Sequence, residues 1–366
     1  MKPYIKGVGC AVSLMAMSCA AQAQSSVTLY GLLDTSIQYA NTGGKNTTRL
    51  DSSEVQTSSW GLKGQEDIGG GTKIIFKLEN GFNVNNGANA QTNAMFGREA
   101  WVGATGSFGT ITAGLNNTEM MWGLVHYSMG DLGHWDWGHA SNNYDFFAMT
   151  RVSDSINYAS PNMAGFQVTA LYSRGANGST TLPSTLGDTA ELGLSFNRGP
   201  LSLEAIYESQ VYSKTTTITS SSPTQVGNYE FFGASYDFNV VKLGGLVMVH
   251  RGAGSITASN FSGFADPNNI YYDVSALIPN VLNSNGSLMF SFGQYKLQDN
   301  SAGNSSSYGM RYDYHLSRST GVYAGVAGIK NGSLASFTQT GAQYSGVPVA
   351  PGNNEVAVLV GMMHRF

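Results

Sequence analysis

Glu355-Val356-Ala357-Val358-Leu359-Val360-Gly361-Met362-Met363-His364-Arg365-Phe366 is the stretch that decides the fold. In an extended chain successive side chains point to opposite sides, so Val356, Val358, Val360, Met362, His364 and Phe366 share one face. The same period of two recurs upstream. Tyr308, Met310, Tyr312, Tyr314 and Leu316 oppose Gly309, Arg311, Asp313, His315 and Ser317. Ile270, Tyr272, Val274, Ala276 and Ile278 oppose Tyr271, Asp273, Ser275 and Leu277. Ala190, Leu192, Leu194 and Phe196 oppose Glu191, Gly193, Ser195 and Asn197, while Leu201, Leu203, Ala205 and Tyr207 oppose Ser202, Glu204, Ile206 and Glu208. The chain is all-β.

Two architectures share this pattern: a soluble sandwich with its apolar faces inward, and a membrane barrel with its apolar faces outward. Tyr and Phe near the strand ends resemble the aromatic girdles of a barrel. The connections also alternate in length. Asn197–Pro200, Asp237–Asn239 and Ser317–Thr320 are tight turns, whereas 213–227, 252–268 and 330–354 are long and polar. Short turns at one end and long loops at the other predict a transmembrane antiparallel β-barrel of about 16 strands.

Composition agrees. Charged residues make up 11%, against about 25% in average proteins. Mean hydropathy is −0.13, the averaged value expected where lipid-facing and lumen-facing residues alternate. No stretch beyond the leader reaches the roughly 20 apolar residues of a membrane helix. Lys2 and Lys6, the uncharged run from Gly7 to Ala20, and Ala21-Gln22-Ala23 form a signal peptide, residues 1–23, cleaved before Gln24. Lipoprotein processing at Cys19 is the rival, but Ala16-Met17-Ser18 lacks the usual Leu. Both cysteines, Cys10 and Cys19, fall in the leader, which leaves the exported chain without disulfides or thiolate sites. Net charge is −4, and −6 once Lys2 and Lys6 are gone, which argues against nucleic acid as a partner. Residues 24–366 read as one domain.

At this point the chain resembles the trimeric general porins of β-proteobacteria. The likeness is carried by Ser26-Val27-Thr28-Leu29-Tyr30-Gly31-Leu32-Leu33-Asp34, by Gly61-Leu62-Lys63-Gly64-Gln65-Glu66-Asp67-Ile68-Gly69-Gly70-Gly71, and by Gly97-Arg98-Glu99-Ala100-Trp101-Val102-Gly103 running on to Phe108-Gly109-Thr110. Asn157-Tyr158-Ala159-Ser160-Pro161-Asn162, Ala234-Ser235-Tyr236-Asp237-Phe238 and His364-Arg365-Phe366 follow in order. The resemblance implies a Gram-negative outer-membrane channel through which small hydrophilic solutes and ions diffuse passively. It also implies a homotrimer in contact with outer-membrane lipid and lipopolysaccharide, no cofactor, and a terminal Phe366 read by the outer-membrane assembly machinery. Its third external loop, here about 116–150, would fold into the pore as a constriction, work that accounts for so long an irregular segment.

The same resemblance places cations on one wall of the constriction and acids on the loop. Arg98, Arg151, Lys73 and Lys77 are the wall candidates. Lys73 and Lys77 alternate with Ile74, Phe76 and Leu78, and Arg98 lies on the face opposite Trp101. Glu119, Asp131 and Asp136 are the pore acids, with Asp145 also on the loop. Trp60, Gly114-Leu115 and Met363 stand where the family pattern usually carries arginine, which thins the cationic wall. Trp122, Trp135, Trp137 and Tyr127 are candidates for stacking on a ring-bearing or sugar-like solute, as opposed to merely packing the loop against the wall. His134-x-Asp136-x-x-His139 has metal-ligand residue types, but spacing on an irregular loop constrains nothing and no metal site is assigned. Pore-lining histidines would titrate near pH 6.5.

Other functions fit less well. No Gly-x-Ser-x-Gly elbow, P-loop or dinucleotide fingerprint is present, so the chain is read as no enzyme. An energy-driven transporter needs a plug domain of about 100 residues before the barrel. A purely structural barrel would have near eight strands and a filled interior. Long external loops suit a receptor as well as a channel and do not separate the two.

Overall fold

The computed structural model describes residues 26–91, 93–130, 137–144, 151–175, 179–214, 218–252, 268–298, 300–342 and 346–366. The expected signal peptide with Cys10 and Cys19 lies outside the described residues, as do Asp131, His134, Trp135, Asp136 and Asp145.

The strands are β1 (Ser26–Thr42), β2 (Lys45–Ser52), β3 (Ser59–Gly69), β4 (Thr72–Gly81), β5 (Glu99–Gly106), β6 (Gly109–Asn117), β7 (Arg151–Ala159), β8 (Phe166–Ser173) and β9 (Thr189–Arg198). They continue as β10 (Leu201–Ser213), β11 (Thr224–Asp237), β12 (Lys242–Gly252), β13 (Asn269–Pro279), β14 (Gly286–Leu297), β15 (Ser305–His315), β16 (Thr320–Asn331) and β17 (Glu355–Arg365). Each pairs antiparallel with its neighbours. β1 closes the ring on β17, with Leu32 opposite Arg365 and Thr42 opposite Glu355. The other edge of β1 serves two partners: β3 along Ser26–Leu32 and β2 along Thr35–Thr42. β2 and β3 are therefore two lengths of one stave, interrupted at residues 53–58. The 17 strands make a closed barrel of sixteen staves. Closure leaves no open sheet edge, the condition for crossing a bilayer with strands.

The two faces settle the choice between sandwich and barrel. The apolar face is the exposed one: Leu192 is 59%, Val274 52% and Val360 60% accessible. The polar face is the buried one, with Glu208, Asp273, Arg311 and Asp313 at 0%. This inversion of the soluble pattern is what lipid outside and a polar lumen inside require.

Strand ends are joined at one side by tight turns such as Gly199-Pro200 and at the other mostly by long segments. Two expected boundaries move. β6 runs through Asn117, so the third long connection begins at Thr118 rather than Asn116. The segment expected as a loop at 213–227 is shorter, because β10 and β11 stay paired out to Ser213 and Thr224.

Candidate functional site

The described parts of the third long connection bond to the inner face of the barrel wall. Its described parts carry two helices, α1 (Glu119–Tyr127) and α2 (Ala140–Tyr144). Thr118 starts α1 because its hydroxyl oxygen accepts from the N–H of Met121 at 3.1 Å. The Glu191 carboxylate of β9 then accepts from the N–H groups of Glu119 (2.6 Å) and Met120 (2.9 Å), a placement the helix dipole favours. Met120, Leu124 and Tyr127 bury against Ile206 and Phe231. Further on, Met129 donates its N–H to Ser275 of β13, Ala140 to Ser291 of β14 and Ser141 to Asp273 of β13. Tyr144 donates its hydroxyl to Ser305 of β15 at 3.0 Å. Ser275, Asp273, Ser291 and Ser305 lie on the polar faces of the consecutive strands β13, β14 and β15, so the described parts of the connection lie inside the ring. The wall makes room with small residues: a Cβ on Gly233 would strike the Tyr127 ring, and one on Gly325 the Trp137 ring.

The last long connection, 332–354, joins it. Phe337 packs edge-on to Tyr144 with ring centroids 4.9 Å apart. Thr340 donates its N–H to Asn143 and its hydroxyl to the Asn142 carbonyl. The carbonyl of Glu54, in the break between β2 and β3, accepts from both Trp137 and Ala342, each at 3.0 Å. That break is held in shape by Asp34, whose carboxylate accepts the N–H groups of Val55 and Gln56 at 2.8 and 2.7 Å and the Tyr323 hydroxyl. One carbonyl thus receives two connections that lie about 200 residues apart in the sequence.

On the other side of α1 a cavity of about 260 Å³ stays open. Met121 and Trp122 of α1 form one side. Tyr30, Lys77, Glu79, Arg98, Glu99, Asn117, Arg151 and Arg365 form the other, with Gln56 and Ala342 between. Arg98 Nε donates to Glu79 at 2.6 Å, and Lys77 lies 3.2 Å from Glu79 and against Glu99. Arg365 donates to Gln56 at 3.1 Å. The Nε of Arg151 has no hydrogen-bond partner among the described residues. Four cations and two carboxylates line the opening, a local excess of positive charge in a chain whose net charge is −4.

The expected wall residues Arg98, Arg151 and Lys77 therefore meet at one opening, together with Trp122. Lys73 does not line it. It sits a further turn of the pleat toward the tight-turn end of β4, opposite Thr105. The faces of β5 are the reverse of the expectation. Trp101 points inward and donates its Nε1 proton to Glu99 at 3.0 Å, while Val102 is exposed outward. Arg98 reaches the lumen only because it precedes the strand and escapes its alternation. Trp137 and Tyr127 are buried at 0% and 2%, and Tyr127 shares a hydrogen bond with Ser202. Their rings face the wall, so stacking on a solute does not fit their placement. Glu119 lies over Gly193, away from the opening. His139 is fully buried, with Nδ1 4.0 Å from Asp273, and no group of three metal-ligand side chains occurs among the described residues. Phe366 lies over Gly31, which exchanges two 3.0 Å backbone hydrogen bonds with it. Glu79, Glu99 and Arg365 were missed from the sequence. Glu79 shares an alternating face with Lys77, whereas Glu99 and Arg365 lie only within the motifs that carry the family likeness; the register between strands brings all three together.

A Gram-negative porin family model matches residues 10–334. Outer membrane porin protein 32 of Delftia acidovorans is 28% identical, over 97% of this chain and 98% of its own. An outer membrane porin protein of Bordetella pertussis is 32% identical over 64% of this chain and 66% of its own. Among solved structures, the anion-selective porin from Comamonas acidovorans superposes with a TM-score of 0.77 at 25% identity, covering 94% of this chain and 100% of that one. Salmonella typhi OmpF shares the fold, with a TM-score of 0.67 at 17% identity over 94% and 99% of the two chains.

Proposed function

Since the chain belongs to the Gram-negative porin family and is an outer-membrane channel for passive diffusion of small hydrophilic solutes and ions, we infer that its pore prefers small anions. The observation that carries this is the charge around the opening between α1 and the wall: Lys77, Arg98, Arg151 and Arg365 against Glu79 and Glu99. A narrow passage with low-dielectric walls concentrates field lines, so an excess of cationic side chains there raises the local concentration of anions. The similar solved structure titled an anion-selective porin supports the same sign. In this reading the connection 118–150 is the constriction, residues 1–23 are a leader, and 24–366 form one barrel domain. The protein assembles as a homotrimer set in lipopolysaccharide-bearing membrane, and Phe366 is the mark the assembly machinery reads.

The test is the zero-current potential of single channels in a planar bilayer under a KCl gradient. Wild type should be chloride-preferring, and Arg151→Gln and Arg98→Gln should each move the potential toward potassium. A wild-type channel that prefers potassium overturns the reading. A second reading, a preference for ring-bearing solutes, rests on Trp122, which borders the opening.

A further inference from the structure

The β4–β5 register sets Glu79 directly opposite Glu99 on the lumen face. Like charges directly opposite on neighbouring strands destabilise a sheet, so this pair needs compensation. The structure supplies it at every oxygen. Glu79 Oε1 accepts from Arg98 Nε at 2.6 Å, and Oε2 accepts from the Tyr30 hydroxyl at 2.7 Å with Lys77 Nζ at 3.2 Å. Glu99 Oε1 accepts from Trp101 Nε1 at 3.0 Å, and Oε2 from Lys77. Both carboxylates are buried, at 5% and 7%. Two of the four cations at the opening are thereby clamped to the wall. Arg151 is not clamped: no salt bridge joins it to any described residue.

We propose that Glu79 and Glu99 are specificity-determining residues that hold back the anion preference of this pore. The proposal rests on the anion-preferring reading above. Conduction needs binding strong enough to admit an ion and weak enough to release it. A wall with four free cations would hold anions too long. Pairing Lys77 and Arg98 with buried carboxylates leaves a smaller positive field at the opening and keeps passage fast.

The experiment compares wild type with Glu79→Gln and Glu99→Gln, each isosteric and each still able to accept one hydrogen bond. Zero-current potentials under a KCl gradient give the chloride-to-potassium permeability ratio. Each variant should raise that ratio about two- to threefold at low salt, and the gain should fade in 1 M KCl, where the screening length drops to about 3 Å. Lys77→Met added to Glu99→Gln removes the freed cation and should return the ratio to near wild type. A ratio that is unchanged or lower in both single variants, at every salt concentration, overturns the proposal. So does a salt-independent change, which a purely structural role would give. A wild type without anion preference would refute the reading beneath it, and the comparison of variant with wild type still stands apart from that result.

Discussion

Arg311→Leu is expected to loosen the loop and destabilise the barrel, and both effects can be sized from the contacts. Arg311 and Asp313 of β15 are fully buried on the inner face. The guanidinium donates twice to the Asp313 carboxylate, at 2.7 and 2.9 Å, and once to the Trp137 carbonyl at 2.9 Å. Removing the arginine takes from the buried Asp313 carboxylate the cation that donates to both its oxygens, and breaking such a buried pair costs about 3–5 kcal/mol. The deserted Trp137 carbonyl adds about 1–3 kcal/mol. Arg311→Leu combined with Asp313→Leu removes the buried charge together with its partner and leaves the Trp137 carbonyl deserted. Since replacing a whole buried pair by apolar residues is often neutral or better, the double variant should recover at least about 3 kcal/mol of the single variant's loss. Urea unfolding in lipid vesicles measures both. Single-channel recording reads the loop: the single and double variants should both show noisier open currents, because both lose the Trp137 anchor. If the double variant is as unstable as the single one, the cost does not come from an uncompensated charge and the reasoning fails. If neither variant is noisier than wild type, Arg311 does not anchor the loop.

Two further outcomes are expected. Trp122→Ala should weaken block by ring-bearing solutes about two- to tenfold, whereas Trp137→Ala should cost about 3–5 kcal/mol of stability through lost packing; solute block that is unaffected by Trp122→Ala would end the stacking idea. Burial pushes the His139 imidazole down to about 4, so it is neutral in the folded chain at pH values where the unfolded chain binds a proton. Stability should therefore fall as pH drops from about 6.5 to 4, by about 3 kcal/mol at most, and His139→Gln should lack that part of the fall when unfolding midpoints are compared at pH 7 and pH 4.5.

The wall was legible because lipid and lumen demand opposite side chains at alternate positions. Val356 to Phe366, Leu192 and Val274 could be assigned a face from spacing alone. The interruption at residues 53–58 was not legible, because nothing local to Glu54 says that its carbonyl will receive Trp137 and Ala342. Arg98, Lys77 and Arg151 were found through charge and motif. The face of Trp101 was misjudged because a strand's alternation does not extend to the residue just before it. Glu79 and Glu99 escaped notice for a different reason: their meaning comes from facing each other across β4 and β5, and cross-strand register is a property of the fold. The aromatic residues of the loop stayed open between solute contact and packing against the wall, because burial in a lumen and exposure to one look alike in sequence. Only the fold shows Gly233 beneath Tyr127 and Gly325 beneath Trp137, contacts that mark these two rings as packing against the wall.

The seat of Trp137 has a consequence for how the molecule is made. Its N–H bonds to Glu54 near the start of the chain and its carbonyl to Arg311 near the end. Those two groups become neighbours only after β17 has paired with β1. Contacts between such distant parts of the sequence form slowly, because loop-closure entropy is lost before they are gained. The Trp137 bridge can therefore be completed only after the ring has shut, and the newly closed barrel is for a time without that crossbar.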